Sequence, residues 1–157
     1  NKPNQMSFTL TFKTQELIQV PENNPLDISS VRLLLVEDLQ TNQRIAAQFL
    51  NKWKVEFDIV ENGKQALDAV RANTYDVILM DMRMPVMDGY EATLEIKSMS
   101  NGKYRDLPII ALTASVSGLN EEKFKSLDLA GFVSKPFVPE VLRSTIARSL
   151  KPRTANK

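Results

Sequence analysis

Asp81 ends an uninterrupted apolar run, Val77-Ile78-Leu79-Met80, and is followed by Pro85 and by Asp88-Gly89. The run suits one strand buried on both faces, and proline and Asp-Gly are turn signals. A carboxylate so placed faces a loop at the carboxyl end of a strand, the edge of an open α/β sheet where ligands bind. Other polar groups recur at equivalent places: Glu37-Asp38 after Val31–Val36, Thr113 after Pro108–Leu112, and Lys135 after Phe132–Ser134. In a parallel sheet these ends share one edge. Clustered carboxylates repel and need a cation. Oxygen ligands without His or Cys suit Mg²⁺, with Mn²⁺ as a second candidate. A carboxylate can attack phosphorus and carry an acyl phosphate; the transferred group then needs a metal, a cationic side chain and hydrogen-bond donors. Lys135 provides the charge and Thr113 the hydroxyl, so the set is complete for phosphoryl transfer to Asp81.

Each residue also has a plainer reading. Asp81 or Thr113 could cap a following segment, Glu37-Asp38 could be a solvated turn, and Ser134-Lys135-Pro136 could be a turn at the surface. The coincidence of all of them at successive strand ends favours a site. Met80, Met82, Met84 and Met87 read as packing and loop filler, and Phe132 as core.

The elements that must position these groups follow a regular alternation. Strands are expected at Val31–Val36, Val55–Val60, Val77–Met80, Pro108–Leu112 and Phe132–Ser134. Between them run helices. The first is capped by Thr41 or Asn42 and turns Ile45, Ala46, Phe49, Leu50 and Trp53 inward. The second opens at Asn62 with Gln65 three residues on, and the third at Asp88 with Glu91 three on. The third runs to Met99 before Asn101-Gly102, and a fourth spans Asn120–Leu129. The last starts at Pro139 and turns Val141, Leu142, Ile146 and Leu150 inward. Repeated βα units predict an α/β fold: a doubly wound, five-stranded parallel sheet with right-handed crossovers. Upstream, Met6–Lys13 alternates like a half-buried strand and leads into a polar, proline-bearing linker. The expected organisation is a leader strand and linker at 1–30, a domain at 31–150 and a disordered tail at 151–157.

Composition removes several function classes. Of 157 residues, 43% are hydrophobic and 25% charged, as in an ordinary soluble domain. The net charge of +1 is scattered, which argues against a nucleic-acid-binding face. No apolar run reaches the roughly 20 residues of a membrane span, so no membrane contact by this chain is expected. There is no Cys and no His. The first suits a cytoplasmic setting; the second means that any phosphohistidine belongs to another chain or segment. The chain begins at Asn1 without Met and reads as an excised fragment.

The segment from Val31 to about Leu150 resembles the receiver domain of two-component response regulators. The resemblance rests on Glu37-Asp38, the D-x-x-x-P-x-x-D-G loop from Asp81 to Gly89, the ALTA segment ending at Ala114, and Lys135-Pro136. It implies a flavodoxin-like fold with strand order 2-1-3-4-5, and Asp81 as phosphoacceptor. It also implies metal ligation by Asp38, Glu37, Asp81 and the backbone carbonyl of Arg83, and phosphoryl binding by Thr113, Ala114 and Lys135. Thr113 and Phe132 would form a switch, and the Lys135-Pro136 bond would be cis. Helix one and the Pro136-Phe137 loop would dock a histidine kinase or histidine phosphotransfer domain. The face of helix four, strand five and helix five would change on phosphorylation and could form a weak dimer. Arg83 and Ser115 would tune hydrolysis. The leader SFTLTFK is similar to the last strand of a histidine kinase ATP-binding domain. The expected parent is therefore a hybrid sensor kinase with this receiver at its carboxy terminus, and the alternative is a stand-alone regulator.

Rivals of other classes fit less well. A haloacid-dehalogenase-type phosphatase also uses a strand-end Asp and Mg²⁺, but it wants an acid where Arg83 stands. A nucleotide-binding module wants a glycine-rich loop after strand one, where Glu37-Asp38 lies instead.

Overall fold

A computed structural model describes residues 27–115 and 121–150. Five parallel strands, β1 (Arg32–Val36), β2 (Glu56–Val60), β3 (Val77–Asp81), β4 (Ile109–Thr113) and β5 (Gly131–Ser134), form one sheet in the order β2-β1-β3-β4-β5. The helices are α1 (Gln40–Lys52), α2 (Gly63–Ala72), α3 (Gly89–Gly102), α4 (Glu121–Lys125) and α5 (Pro139–Ser149). The expected fold class and strand order are both present. The leader strand and the 151–157 tail lie outside the described residues.

The sheet is central because β1, β3 and β4 are apolar on both faces. Leu33, Leu35, Leu79 and Leu112 bury against α1 and α5 through Leu50, Leu142 and Ile146. Leu34, Val36, Ile78 and Met80 bury the other way, against α2 and α3 through Leu67, Val70 and Ile96. Each fully buried aliphatic side chain contributes about 1.5–3 kcal/mol, so these layers dominate stability and hold the strand tips in register. Met80 lies opposite both Val36 and Ala111, which aligns the ends of β1, β3 and β4 at one edge.

Several boundaries depart from expectation. The first helix starts earlier, with Leu39 rather than Thr41 or Asn42 at the N-cap and no side-chain cap bond there. The Leu39 amide instead donates to Glu37 Oε1 at 3.2 Å, so the Glu37 carboxylate takes up a donor at the helix entrance. Asn62 and Asp88 do cap α2 and α3, accepting from the amides of Gln65 and Glu91. The third helix loses helical geometry at Met99, Ser100 and Asn101, as the Asn-Gly signal implies. The fourth helix is shorter than 120–129; hydrogen-bonded turns follow Lys125, and Asp128 adopts a left-handed φ of 53°. On α5, Val141 is exposed although the apolar spacing points it inward, while Leu142 and Ile146 are buried. Phe132 is 42% exposed rather than core, because β5 is an edge strand.

Candidate functional site

Glu37 and Asp38 continue directly from β1, Asp81 and Thr113 are the last residues of β3 and β4, and Lys135 follows β5. Parallel strands from across the chain thus deliver their end groups to one place. Glu37, Asp38 and Asp81 each present a carboxylate oxygen within 4.8 Å of the others. Lys135 reaches between them, its Nζ 2.9 Å from Glu37 Oε2 and 3.1 Å from Asp81 Oδ2. The Glu37 side chain is fully buried and that of Asp81 is 5% exposed. Asp38 is half-buried and opens the cluster to solvent.

The backbone supports the cluster closely. Gly89 at the start of α3 lies so near the Asp81 carbonyl that a Cβ would collide with it, and its amide donates to Met82 O at 3.3 Å. Only glycine lets α3 start there. The intervening loop turns at Val86, which has φ 73° and is 78% exposed, with Met87 N donating to Pro85 O at 2.8 Å. This is a γ-turn of the rare positive-φ kind, strained for a β-branched residue. Arg83 meets the site through its amide, which donates to Asp81 Oδ1 at 3.1 Å, while its side chain is exposed. Thr113 is buried, and its hydroxyl engages its own loop, donating to Ser115 O at 3.1 Å and accepting from Ser115 N at 3.2 Å. The Lys135 amide donates to Thr113 O at 2.8 Å, which ties the ends of β4 and β5 together. Lys135-Pro136 is cis. Ala114 is exposed beside Thr113, and Phe132 lies edge-on to Phe124, ring centroids 5.8 Å apart.

Gln43 is a functional candidate that the sequence reading missed. Its Nε2 donates to the Glu37 carbonyl at 2.7 Å, while the Glu37 amide donates to Val60 O at 3.0 Å. Glu37 is therefore held at its amide, its carbonyl and its carboxylate. A glutamine six residues after a glutamate carries no periodic or motif signal, and only the turn of the β1–α1 connection brings the two together.

Charge is unbalanced here. Burial pushes the Asp81 carboxyl up to about 7; Glu37 adds to the rise, and the Arg83 amide and the Lys135 ammonium oppose it. For Lys135, burial works against the ammonium, but the hydrogen bond to Glu37 and the charge of Asp81 outweigh it, so its pKa rises. Glu37 Oε2 meets Lys135 as an ion pair but accepts no aligned hydrogen bond, which leaves a buried oxygen with an unused lone pair. Three carboxylates around one ammonium, all oxygen donors with one lone pair free, fit a small hard dication such as Mg²⁺.

Comparisons with known proteins agree with this geometry. A family model described as the response regulator receiver domain matches residues 33–147. Probable histidine kinase 4 of Oryza sativa subsp. japonica is 34% identical over 140 residues, covering 76% of this chain and 14% of that protein. The autoinducer 2 sensor kinase/phosphatase LuxQ of Vibrio cholerae is 36% identical over 109 residues, covering 69% and 12%. The chain thus spans a small fraction of the curated relatives it matches. Among solved structures, the receiver domain of sensor histidine kinase PA1611 from Pseudomonas aeruginosa superposes with a TM-score of 0.69 at 37% identity, covering 76% of this chain and 96% of that one. That structure is described with a magnesium ion coordinated in its active-site cleft. The receiver domain of Saccharomyces cerevisiae Ssk1, crystallised with the histidine phosphotransfer protein Ypd1, is among the matches; the likeness has a TM-score of 0.65 at 27% identity and covers 73% and 85% of the two chains.

Proposed function

The chain belongs to the response regulator receiver domain family, and from that membership we propose that Asp81 accepts a phosphoryl group from a phosphohistidine of a partner histidine kinase or histidine phosphotransfer domain. The observation that carries this reading is the buried Asp81 carboxylate at a strand tip, with Lys135 Nζ 3.1 Å away and two further carboxylates beside it. An Asp81 oxygen attacks phosphorus, the P–N bond to the partner's imidazole breaks as the P–O bond forms, and the released imidazole takes its proton from solvent. Lys135 pairs with the charge that accumulates on the phosphoryl oxygens. Glu37, Asp38, Asp81 and the Arg83 carbonyl would hold Mg²⁺, which supplies charge neutralisation and orients the transferred group.

Thr113 and Ala114 serve as phosphoryl donors, through a hydroxyl and an amide. For Thr113 this means leaving Ser115 and turning toward Asp81, which opens space beside Phe132. The half-exposed Phe132 ring then moves inward, and the α4–β5–α5 face presents a different surface, available for a weak dimer. The domain is residues 31–150, preceded by a linker, and the parent is a hybrid histidine kinase with this part on the cytoplasmic side. No nucleic acid is bound. No helix among the described residues is long and apolar enough to cross a membrane.

Intact mass after exposure to a phosphohistidine donor with Mg²⁺ tests the reading. One phosphoryl group per chain, labile in base and absent in Asp81→Asn, is expected. Modification that persists in Asp81→Asn overturns the assignment. Continuous hydrolysis of small phosphoesters would instead favour the phosphatase.

A further inference from the structure

The chain enters its fold beside a cleft at the end of α1 and the start of α5. The cleft is about 560 Å³ and is lined in part by Asp27, Lys52, Trp53, Lys54, Glu140 and Arg143. Trp53 is half-buried, stacked on Phe49 with centroids 5.9 Å apart, and the Arg143 guanidinium lies 5.9 Å from its ring centroid. Lys52 and Lys54 are exposed at the end of α1. Ile28 is 1% exposed, packed in the core that contains Leu142 and Ile146. Its carbonyl accepts from Val31 N at 3.1 Å, and Asp27 Oδ1 accepts from Ser29 N at 3.0 Å. The chain is therefore pinned where Asp27 forms a wall of the cleft, and whatever precedes Asp27 departs from that wall.

What precedes it suits the cleft. Residues 14–26 read TQELIQVPENNPL: two carboxylates, Glu16 and Glu22, no cation, and Leu17, Ile18, Val20 and Leu26. The cleft presents the exposed Lys52 and Lys54 beside an aromatic face. Ten residues extend to about 33 Å, ample to return over Trp53. A segment tethered at the rim also meets its site at an effective concentration near millimolar, so weak contacts suffice.

We propose that residues 16–26 fold back into this cleft, resting their apolar side chains on Trp53 and pairing Glu16 and Glu22 with Lys52 and Lys54. The approach to the domain would then be held against α1 and α5. The proposal is independent of the role given to Asp81, and each can fail alone.

Trp53 is the single tryptophan, so its emission in the full chain reports this cleft alone. Acrylamide quenching of Trp53 is expected to rise about twofold in Lys52→Glu/Lys54→Glu, the scale of solvated ion pairs. It is expected to return to the original value when Glu16→Lys and Glu22→Lys are added. Ile18→Asp should raise quenching with both lysines in place. Equal quenching in all variants overturns the proposal, as does quenching that scales with protein concentration, which would assign the cleft to a second copy of the chain.

Discussion

The two edges of the sheet carry similar ionic groups and put them to different use. At the amino edge, Arg32 sits among Glu56, Asp58 and Asp76. Its guanidinium donates to Asp58 Oδ2 at 2.9 Å, Tyr75 OH donates to the same oxygen at 2.6 Å, and the Arg32 amide donates to Asp76 Oδ2 at 2.9 Å. At the carboxyl edge, Lys135 sits among Glu37, Asp38 and Asp81. Both are one cation among three carboxylates. The difference is water: Glu56 and Asp58 side chains are 76% and 45% exposed, against none and 5% for Glu37 and Asp81. Solvent absorbs the excess negative charge at the amino edge, and hydrogen bonds occupy its acceptors. At the carboxyl edge Glu37 and Asp81 have no such solvent, and a bound cation or a proton can balance them instead. A buried charge imbalance of that kind is characteristic of a functional site.

Removing the central cation should separate the two edges most sharply. In Lys135→Met, two buried carboxylates lose the ammonium between them, which should cost about 3 kcal/mol of stability and reduce phosphoryl uptake by about 10²-fold or more. Urea unfolding and the mass measurement above read both, and an unchanged stability would mean that water already fills the cluster. Asp81→Asn should act in the opposite direction on stability. The folded carboxyl titrates near 7 and an unfolded one near 4, so the folded state binds the proton more tightly. Ionised Asp81 therefore costs stability above pH 7, and the cost disappears below about pH 4. Without Mg²⁺ the variant should melt higher than wild type at pH 8, by on the order of 1 kcal/mol, with the gain shrinking as pH falls from 7 to 4. A gain independent of pH would show that it does not arise from this carboxyl.

Gln43→Ala leaves the carboxylates in place but frees the Glu37 carbonyl. Outer partners of metal ligands typically contribute 10–100-fold in affinity, so calorimetry should show Mg²⁺ binding weakened by about tenfold. An unchanged affinity would show that the Val60 and Leu39 contacts suffice. The smallest effect belongs to the amino edge. Tyr75→Phe should cost about 1 kcal/mol and leave Mg²⁺ affinity and phosphoryl uptake untouched. A change in either would mean that the edges communicate through the strands.

What could be read from the residues was set by how local each cause is. Strand ends were legible because apolar runs stop abruptly at a charged or hydroxyl residue. Asn62 and Asp88 were legible as caps because their partners are three residues away. The start of α1 was not, since the bond that begins it comes from Glu37, a residue reserved for the site. Phe132 and Val141 were misplaced for a related reason: hydrophobicity announces burial, but an edge strand and the outer flank of α5 expose apolar side chains that face no further layer. Gln43 lay beyond reach because its partnership exists only after the chain has turned.

Val86 has a consequence for engineering. A left-handed, β-branched residue gives up about 1–2 kcal/mol of backbone energy, and one so exposed recovers none of it from packing. Redesign for thermal robustness would replace it with glycine or asparagine, and the melting point would reward the change. The exposed hydrocarbon tip on the loop after Asp81 would disappear without any warning from a heat-based screen. Libraries for this loop are better sorted by the proposed phosphoryl uptake than by endurance.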